Sequence, residues 1–369
     1  MAIVLKKKYK LSFFYKYLVR QLFKILYGNI IFTEQKKFSN LLKISEIKNL
    51  KIRKKNQKKY KVYEINNGRI FTDFVENVAL IDGNKIVEGP SYQQIKGIFK
   101  KAKFNSTIKK GTPYLKKKVY GNVLSLTQGA SGHSNYFHWL FDILPKIKLC
   151  SEIINLDEVN YFYTSKLLDF QKKTLKILNL DHIRILDSEK FRHIQAKKII
   201  ATDHPWYNKG YVLNEVGKMP PWILKWIREK FLPYKKKINS NEKVFIDRSE
   251  SKFNHCQIKN NSEVIDFLTK KGFTSYKIGE LSFENQIYLF NKAKIIIGAH
   301  GAAFANLVFC KPKTKVIEIK PANNPNFINK TISKINSLDY TLISTPKLNE
   351  SLKINGDIYL DLSKLNKII

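Results

Sequence analysis

Ile295-Ile296-Ile297-Gly298-Ala299-His300-Gly301-Ala302-Ala303 is a run of branched apolar residues that stops at small ones and passes into helical spacing. An apolar run without polar alternation reads as a buried strand, and the residues after it read as a tight turn into a helix. Gly and Ala at such a turn let an anion approach the backbone. The first N–H groups of the helix and its dipole then face that anion, a field of about 0.3–1 kcal/mol per charge at exposed sites. His300 adds a directional donor. In open α/β sheets ligands bind beyond the carboxyl ends of strands, which is where this turn lies. The competing reading is plain packing of helix on sheet, with His300 hydrogen-bonded in the core.

The same alternation extends outward. Strands are expected over 243–247, 274–278, 294–298 and 315–319, with helices over 261–271, 282–293 and 301–309, the order of a doubly wound α/β domain. Ser282 suits an N-cap, and Phe283, Ile287, Phe290 and Ala293 form one apolar stripe that belongs to the core. Toward the N-terminus, Asp82-Gly83-Asn84 marks a hairpin. Strands at 123–127, 160–164, 183–186 and 198–201, with helices at 134–149 and 169–179, then read as parallel βαβ units. Pro220-Pro221 opens a helix through Phe231, and Pro233 before Lys235-Lys236-Lys237 marks a domain junction. The expected organisation is a basic extension over 1–60, one Rossmann-like domain over 61–235, a second over 236–345, and a tail over 346–369 packed back on the body.

Several polar residues fall on the carboxyl edge of these strands. Glu318, in Val316-Ile317-Glu318-Ile319, is costly among apolar neighbours unless donors such as a ribose diol satisfy it; otherwise it faces outward. Arg248, just past Val244-Phe245-Ile246-Asp247, can grip a diphosphate in bidentate fashion with Lys252 and His255 assisting, or pair with Asp247 or Glu250. In the helix over 134–149, Phe137, Leu140, Phe141, Leu144 and Ile147 gather on one side and Asn135, His138 and Asp142 on the other. His138 and Asp142 stand in reach of one another, so that either takes a proton from a substrate hydroxyl, or the two form a surface pair with no substrate.

Composition narrows the class. The chain has 369 residues, 43% hydrophobic and 13% aromatic, enough for two cored domains and too apolar for wholesale disorder. Lys and Arg number 67 against 30 acids, a net +37 that calls for an anionic partner, although the Lys, Ile and Asn bias of an AT-rich coding sequence contributes. Residues 1–60 hold 17 cations and 2 acids. Within them Leu11, Phe14, Leu18, Leu22 and Ile25 recur at helical spacing among Lys10, Lys16, Arg20 and Lys24, a basic amphipathic helix that either attaches to an anionic membrane or docks on the protein. The Lys51 to Lys61 run reads as a solvated loop. Cys150, Cys256 and Cys310 are too scattered for a disulfide framework or a zinc site, which fits a reducing compartment. No apolar run reaches the length of a membrane span, and Lys16, Arg20 and Lys24 interrupt what would be a signal peptide. The expected location is therefore cytoplasmic, with peripheral attachment to the inner face of the plasma membrane through residues 1–30 as the variant the helix opens. P-loop, GxGxxG, GxSxG and HExxH motifs are missing, and Asp187-Ser188-Glu189 is a poor substitute for a metal-binding DxD, so no metal or cofactor is called for.

The stretches Ser134-Asn135-Tyr136-Phe137-His138-Trp139-Leu140-Phe141-Asp142-Ile143-Leu144-Pro145-Lys146 and Ile297-Gly298-Ala299-His300-Gly301-Ala302-Ala303-Phe304-Ala305-Asn306-Leu307-Val308-Phe309 resemble glycosyltransferase family 61. Phe245-Ile246-Asp247-Arg248-Ser249, Leu281-Ser282 and Val316-Ile317-Glu318-Ile319 extend the resemblance over residues 70–320. It implies a GT-B fold of two Rossmann-like domains facing a cleft, and metal-independent, inverting transfer of a hexose or pentose from a nucleotide-sugar to a glycan or lipid-linked glycan hydroxyl. It also implies that Arg248, Lys252, His300, Gly301, Ala302, Ala303 and Asn306 surround the donor, with Glu318 near the nucleoside and His138 and Asp142 on the acceptor side. A second arginine common after the strand is replaced by Lys252, Asn254 and His255. The absence of an anchor and of disulfides points to the bacterial capsular-polysaccharide branch. The alternative is a basic, non-catalytic nucleic-acid- or membrane-binding protein on a degenerate transferase fold, although the charge is densest outside the α/β domains and is not interleaved with aromatics as a specific nucleic-acid site would be.

Overall fold

The computed structural model describes residues 2–33, 41–48, 59–73, 78–127, 134–249, 256–346, 348 and 355–369. Lys252, His255, Glu250 and most of the Lys51–Lys61 run lie outside them. Two compact units divide the chain: Met1–Ser134, Phe141–Leu167 and Asp181–Val212 form the first, and Asn135–Leu140, Leu168–Leu180 and Leu213–Ile369 the second. The last boundary falls at Val212, not at residue 235, because the Pro221–Phe231 helix belongs to the second unit. Its Arg228 guanidinium donates to the carbonyl oxygens of Val308 and Cys310, which end the helix over Ala302–Phe309.

The second unit is built on a five-stranded sheet in the order Thr274–Lys277, Lys243–Asp247, Ile295–Ala299, Lys315–Pro321, Asp339–Thr345, every neighbouring pair parallel. Apolar runs buried on both faces make the centre: Phe245, Ile296, Ile297, Val316 and Ile317 are all sealed. Phe283, Ile287 and Phe290 bury the stripe of the Phe283–Lys292 helix, and the Ser282 hydroxyl accepts from the Asn285 N–H at 3.2 Å as its N-cap. The Ile328–Ile335 helix and the Asp339–Thr345 strand complete the unit beyond the elements read from the sequence. In chain order the strands run 2-1-3-4-5. Winding therefore reverses between Lys243–Asp247 and Ile295–Ala299, the topological switch point of such a sheet.

The first unit holds a ten-stranded sheet. Lys117–Ser125, Tyr161–Thr164, Arg184–Asp187 and His193–Thr202 pair in parallel. Lys61–Asn66 and Arg69–Thr72 instead pair antiparallel with His193–Thr202, and Val78–Asp82 antiparallel with Arg69–Thr72. The sheet is thus mixed and departs from the uniformly parallel βαβ arrangement. The Val78–Asp82 and Lys85–Ile86 strands are joined by Gly83-Asn84 alone, with Gly83 at φ +56°, far short of the dozen or so residues a parallel crossover needs. The extension expected over 1–60 also contributes here: Ile31–Phe32 pairs with Lys85–Ile86, and Leu42–Glu46 with Lys61–Asn66.

The tail enters the core of the second unit. Leu360 and Leu365 are sealed among Phe245, Val264, Leu268 and Ile317. Asn260 clamps it, donating to the Leu360 carbonyl and accepting from the Leu360 N–H, each at 3.0 Å. Replacing a side chain that satisfies two buried backbone groups leaves both unpaired, at about 1–3 kcal/mol each. Asn260→Ala is therefore expected to lower the urea midpoint and to expose residues 355–369 to limited proteolysis ahead of the rest of the chain, as mass mapping of the first fragments would reveal.

Candidate active site

The two strands at the switch point end at Asp247 and Ala299, immediately before Arg248 and His300. Asp247 is committed to its own loop: its carboxylate accepts from the Ser249 N–H and hydroxyl, both at 2.9 Å, and from the Asn261 amide at 3.0 Å. Arg248 leans instead across the crevice. A Cβ on Gly301 would fall on its guanidinium, so a side chain at this position would displace Arg248 from its present seat, while the glycine backbone is ordinary extended chain at φ 169°. Gly301, Ala302 and Ala303 are partly exposed, whereas Phe304 to Cys310 are buried. A guanidinium, a helix start and a histidine thus converge on the carboxyl edge, a constellation suited to an anion of more than one charge.

His300 is held from below. Its Nδ1 lies 2.5 Å from Glu318 Oε1, which also accepts from the Asn329 amide at 2.7 Å. The Tyr340 hydroxyl donates to Glu318 Oε2. Register explains the grouping: Glu318 lies opposite Leu342, so Tyr340, two residues back along the same strand, shares its face. Both carboxylate oxygens are engaged and the side chain has no exposed surface, so Glu318 orients the imidazole where a ribose contact was expected. Burial alone would raise its carboxyl pKa; the bonds from His300, Tyr340 and Asn329 outweigh burial and hold it below the ordinary range. Burial and the adjacent Glu318 charge push the Tyr340 phenol upward, which keeps it a donor. With Nδ1 given to the carboxylate, Nε2 is the ring atom left to a ligand.

Asn306, expected at the donor, is a sealed structural joint. Its amide donates to Gln286 Oε1 at 3.0 Å and to the Ala303 carbonyl at 3.2 Å, and its oxygen accepts from the Tyr136 hydroxyl at 2.6 Å. That bond seats the Tyr136–His138 turn, whose N-cap Asn135 accepts from the Phe137 and His138 N–H groups, on the Ala302–Phe309 helix. His138 is partly exposed and packs edge-on to Phe137. The second unit thus assembles His138, Arg248, His300, Gly301, Ala302, Ala303, Asn306 and Glu318.

Asp142 belongs to the first unit and lies inside a π-type turn over Trp139–Ile143, which breaks the regular helical spacing from His138. It has no exposed surface. The Trp206 indole donates to it at 2.6 Å, and His204 Nε2 lies 3.8 Å away. Lys146, wholly buried and donating to the Leu126 carbonyl at 3.2 Å, has its ammonium pushed down to about 7 by burial, with Asp142 pulling the other way. Among the described residues no group of three or more His, Cys, Asp or Glu side chains could hold a metal ion.

Sequence reasoning missed Asn329, Tyr340, Trp206 and His204. Asn329 gave the clearest available signal, a polar residue beside Ile328 and Ile332 on the buried stripe of its helix.

Residues 136–317 match the family model described as Glycosyltransferase 61. They form a domain of that family over part of the chain, and with it comes glycosyltransferase activity in general terms. No curated protein matches the chain.

A carboxyl with a depressed folded pKa contributes stability above its unfolded value, about 4.3 for glutamate, and loses that contribution as pH falls through the folded value. Glu318→Gln should therefore unfold at lower urea than wild type at pH 7. The gap should close as pH drops below about 4; a gap unchanged down to pH 2 would contradict the assignment.

Proposed function

We propose that the protein transfers a hexose or pentose from a nucleotide-sugar to a glycan or lipid-linked glycan hydroxyl in surface polysaccharide biosynthesis, with inversion and without a metal. The observation that carries the reading is the meeting of Arg248 and His300 at the switch point, within a domain of the matching family. On this reading the chain is of the GT-B type, and the parallel second unit holds the donor.

The donor diphosphate lies against Arg248, His300 Nε2 and the helix start at Gly301 to Ala303. As the bond to the anomeric carbon breaks, negative charge grows on the leaving diphosphate, and fixed donors stabilise it more than they stabilise the bound donor. Close packing of Arg248 on Gly301 and the Glu318 bond to His300 hold both groups in place before the reaction. His138 is the base: it takes the acceptor proton while the oxygen attacks from the face opposite the leaving group, giving inversion in one displacement. Exposure supports His138 over Asp142, since His138 is partly exposed and Asp142 is buried with its carboxylate bonded to Trp206. Asp142 is then a positioning residue of the first unit.

Thermal-shift screening against UDP, GDP, CMP and their sugars identifies the donor. His300→Ala should then lower kcat/KM for it by roughly 10- to 100-fold, the loss of one charge-assisted hydrogen bond at about 1.5–3 kcal/mol. His138→Gln should cut kcat by about 10²–10⁴-fold with donor affinity retained, and turnover should survive EDTA. Unchanged turnover in both variants, or steeply salt-dependent binding to generic DNA with no nucleotide affinity, would defeat the proposal.

A further inference from the structure

A surface helix ordinarily turns its apolar side toward the protein and its charges toward water. The Ala2–Tyr27 helix does the opposite over its described side chains. Phe14, Leu18, Leu22, Ile25 and Leu26 share one face and are 49–82% exposed. Val19, Arg20, Phe23, Lys24 and Tyr27 are half-buried. The helix is fixed in this orientation at its C-terminal end. The Tyr27 hydroxyl accepts from the Lys116 N–H at 3.1 Å, its carbonyl accepts from Arg69 at 3.3 Å, and its ring meets His193 edge-on at 5.0 Å. The apolar row is therefore held outward by the fold, and a contiguous apolar face of this kind marks an interaction surface.

Charge says what covers it. Residues 1–33 contain seven Lys or Arg and no acid. A second copy seated on this face would bring two such segments together with nothing to neutralise them. A nucleic acid would match the charge and leave the apolar row in water. An anionic lipid surface matches both, because its charge attracts the net positive segment as a whole and its acyl boundary takes the leucines. Among the described residues no helix is long and apolar enough to cross a membrane. We propose that this helix lies flat on an anionic bilayer through Phe14, Leu18, Leu22, Ile25 and Leu26, and so fixes the first unit to the membrane surface. The inference does not rest on the transferase reading.

The test uses the full chain with vesicles of phosphatidylcholine alone or with 30% phosphatidylglycerol. A protein of net +37 is drawn to anionic vesicles by charge alone, so the discriminating variant keeps the charge: Leu18→Ser, Leu22→Ser and Ile25→Ser together. Wild type should co-sediment with the anionic vesicles and not with the neutral ones. The triple variant should lose about tenfold or more in partition coefficient while keeping its thermal midpoint, since the three side chains project away from the body. A single Leu22→Trp should shift its emission to the blue on binding and be quenched by bromolipid. Equal partition of wild type and triple variant, an unshifted Leu22→Trp emission, or a wild-type dimer that the triple variant converts to monomer would each overturn the proposal, the last by showing that a second copy covers the face.

Discussion

An ionised carboxylate without exposed surface, in the fourth strand of a parallel sheet, costs several kcal/mol unless its neighbours replace the water it has lost. In the second unit Glu318 is such a group, and the elements around it are arranged to answer that cost. Asn329 comes from the helix that follows, Tyr340 from the next strand, and His300 from the turn after the preceding one. The carboxylate thereby ties a turn, a helix and a neighbouring strand to one point. It also gives the ring of His300 a single orientation. What a ligand would meet at the crevice is an imidazole already aimed, beside a guanidinium laid in the space that a glycine leaves.

The second unit was largely legible because its three central strands are apolar runs that end in turns of their own. Ser282 stops one element and starts the next, and the Ile295–Ala299 run admits one reading. The first unit was less so. Its parallel strands follow helices and were found, but Lys61–Asn66 and Arg69–Thr72 line up end to end along one long strand, His193–Thr202, more than a hundred residues away. No local period encodes that pairing. The tail and the Asp339–Thr345 strand differ in a further way, since the strand alternates poorly and gains its place from the neighbour it extends.

The site was legible in its residues and less so in their roles. Arg248, His300 and Gly301 stood out as candidates because each follows the end of an apolar strand, where open α/β sheets bind ligands. Glu318 and Asn306 were found as polar groups in apolar company, yet whether such a group meets a ligand or a neighbour depends on partners remote in sequence: Tyr340 for the first, Tyr136 for the second. Asp142 shows the same limit. Its spacing from His138 suggested one shared face, whereas Asp142 sits within a widened turn that breaks that spacing and an indole from residue 206 takes the carboxylate.

The chain passes between its units five times, at residues 134–135, 140–141, 167–168, 180–181 and 212–213. On the ribosome, the segments Asn135–Leu140 and Leu168–Leu180 therefore emerge before the helices they meet, Ala302–Phe309 for the first and Pro221–Phe231 for the second. Tyr136 must wait in a nascent chain for Phe283 and Asn306, not yet synthesised, a period in which apolar surface lies open to chaperones and to misassembly. Neither unit exists as a continuous stretch that a gene could duplicate, shuffle or lose on its own. The threading that gives the second unit its histidine at position 138 also commits the protein to evolving, and to folding, as a whole.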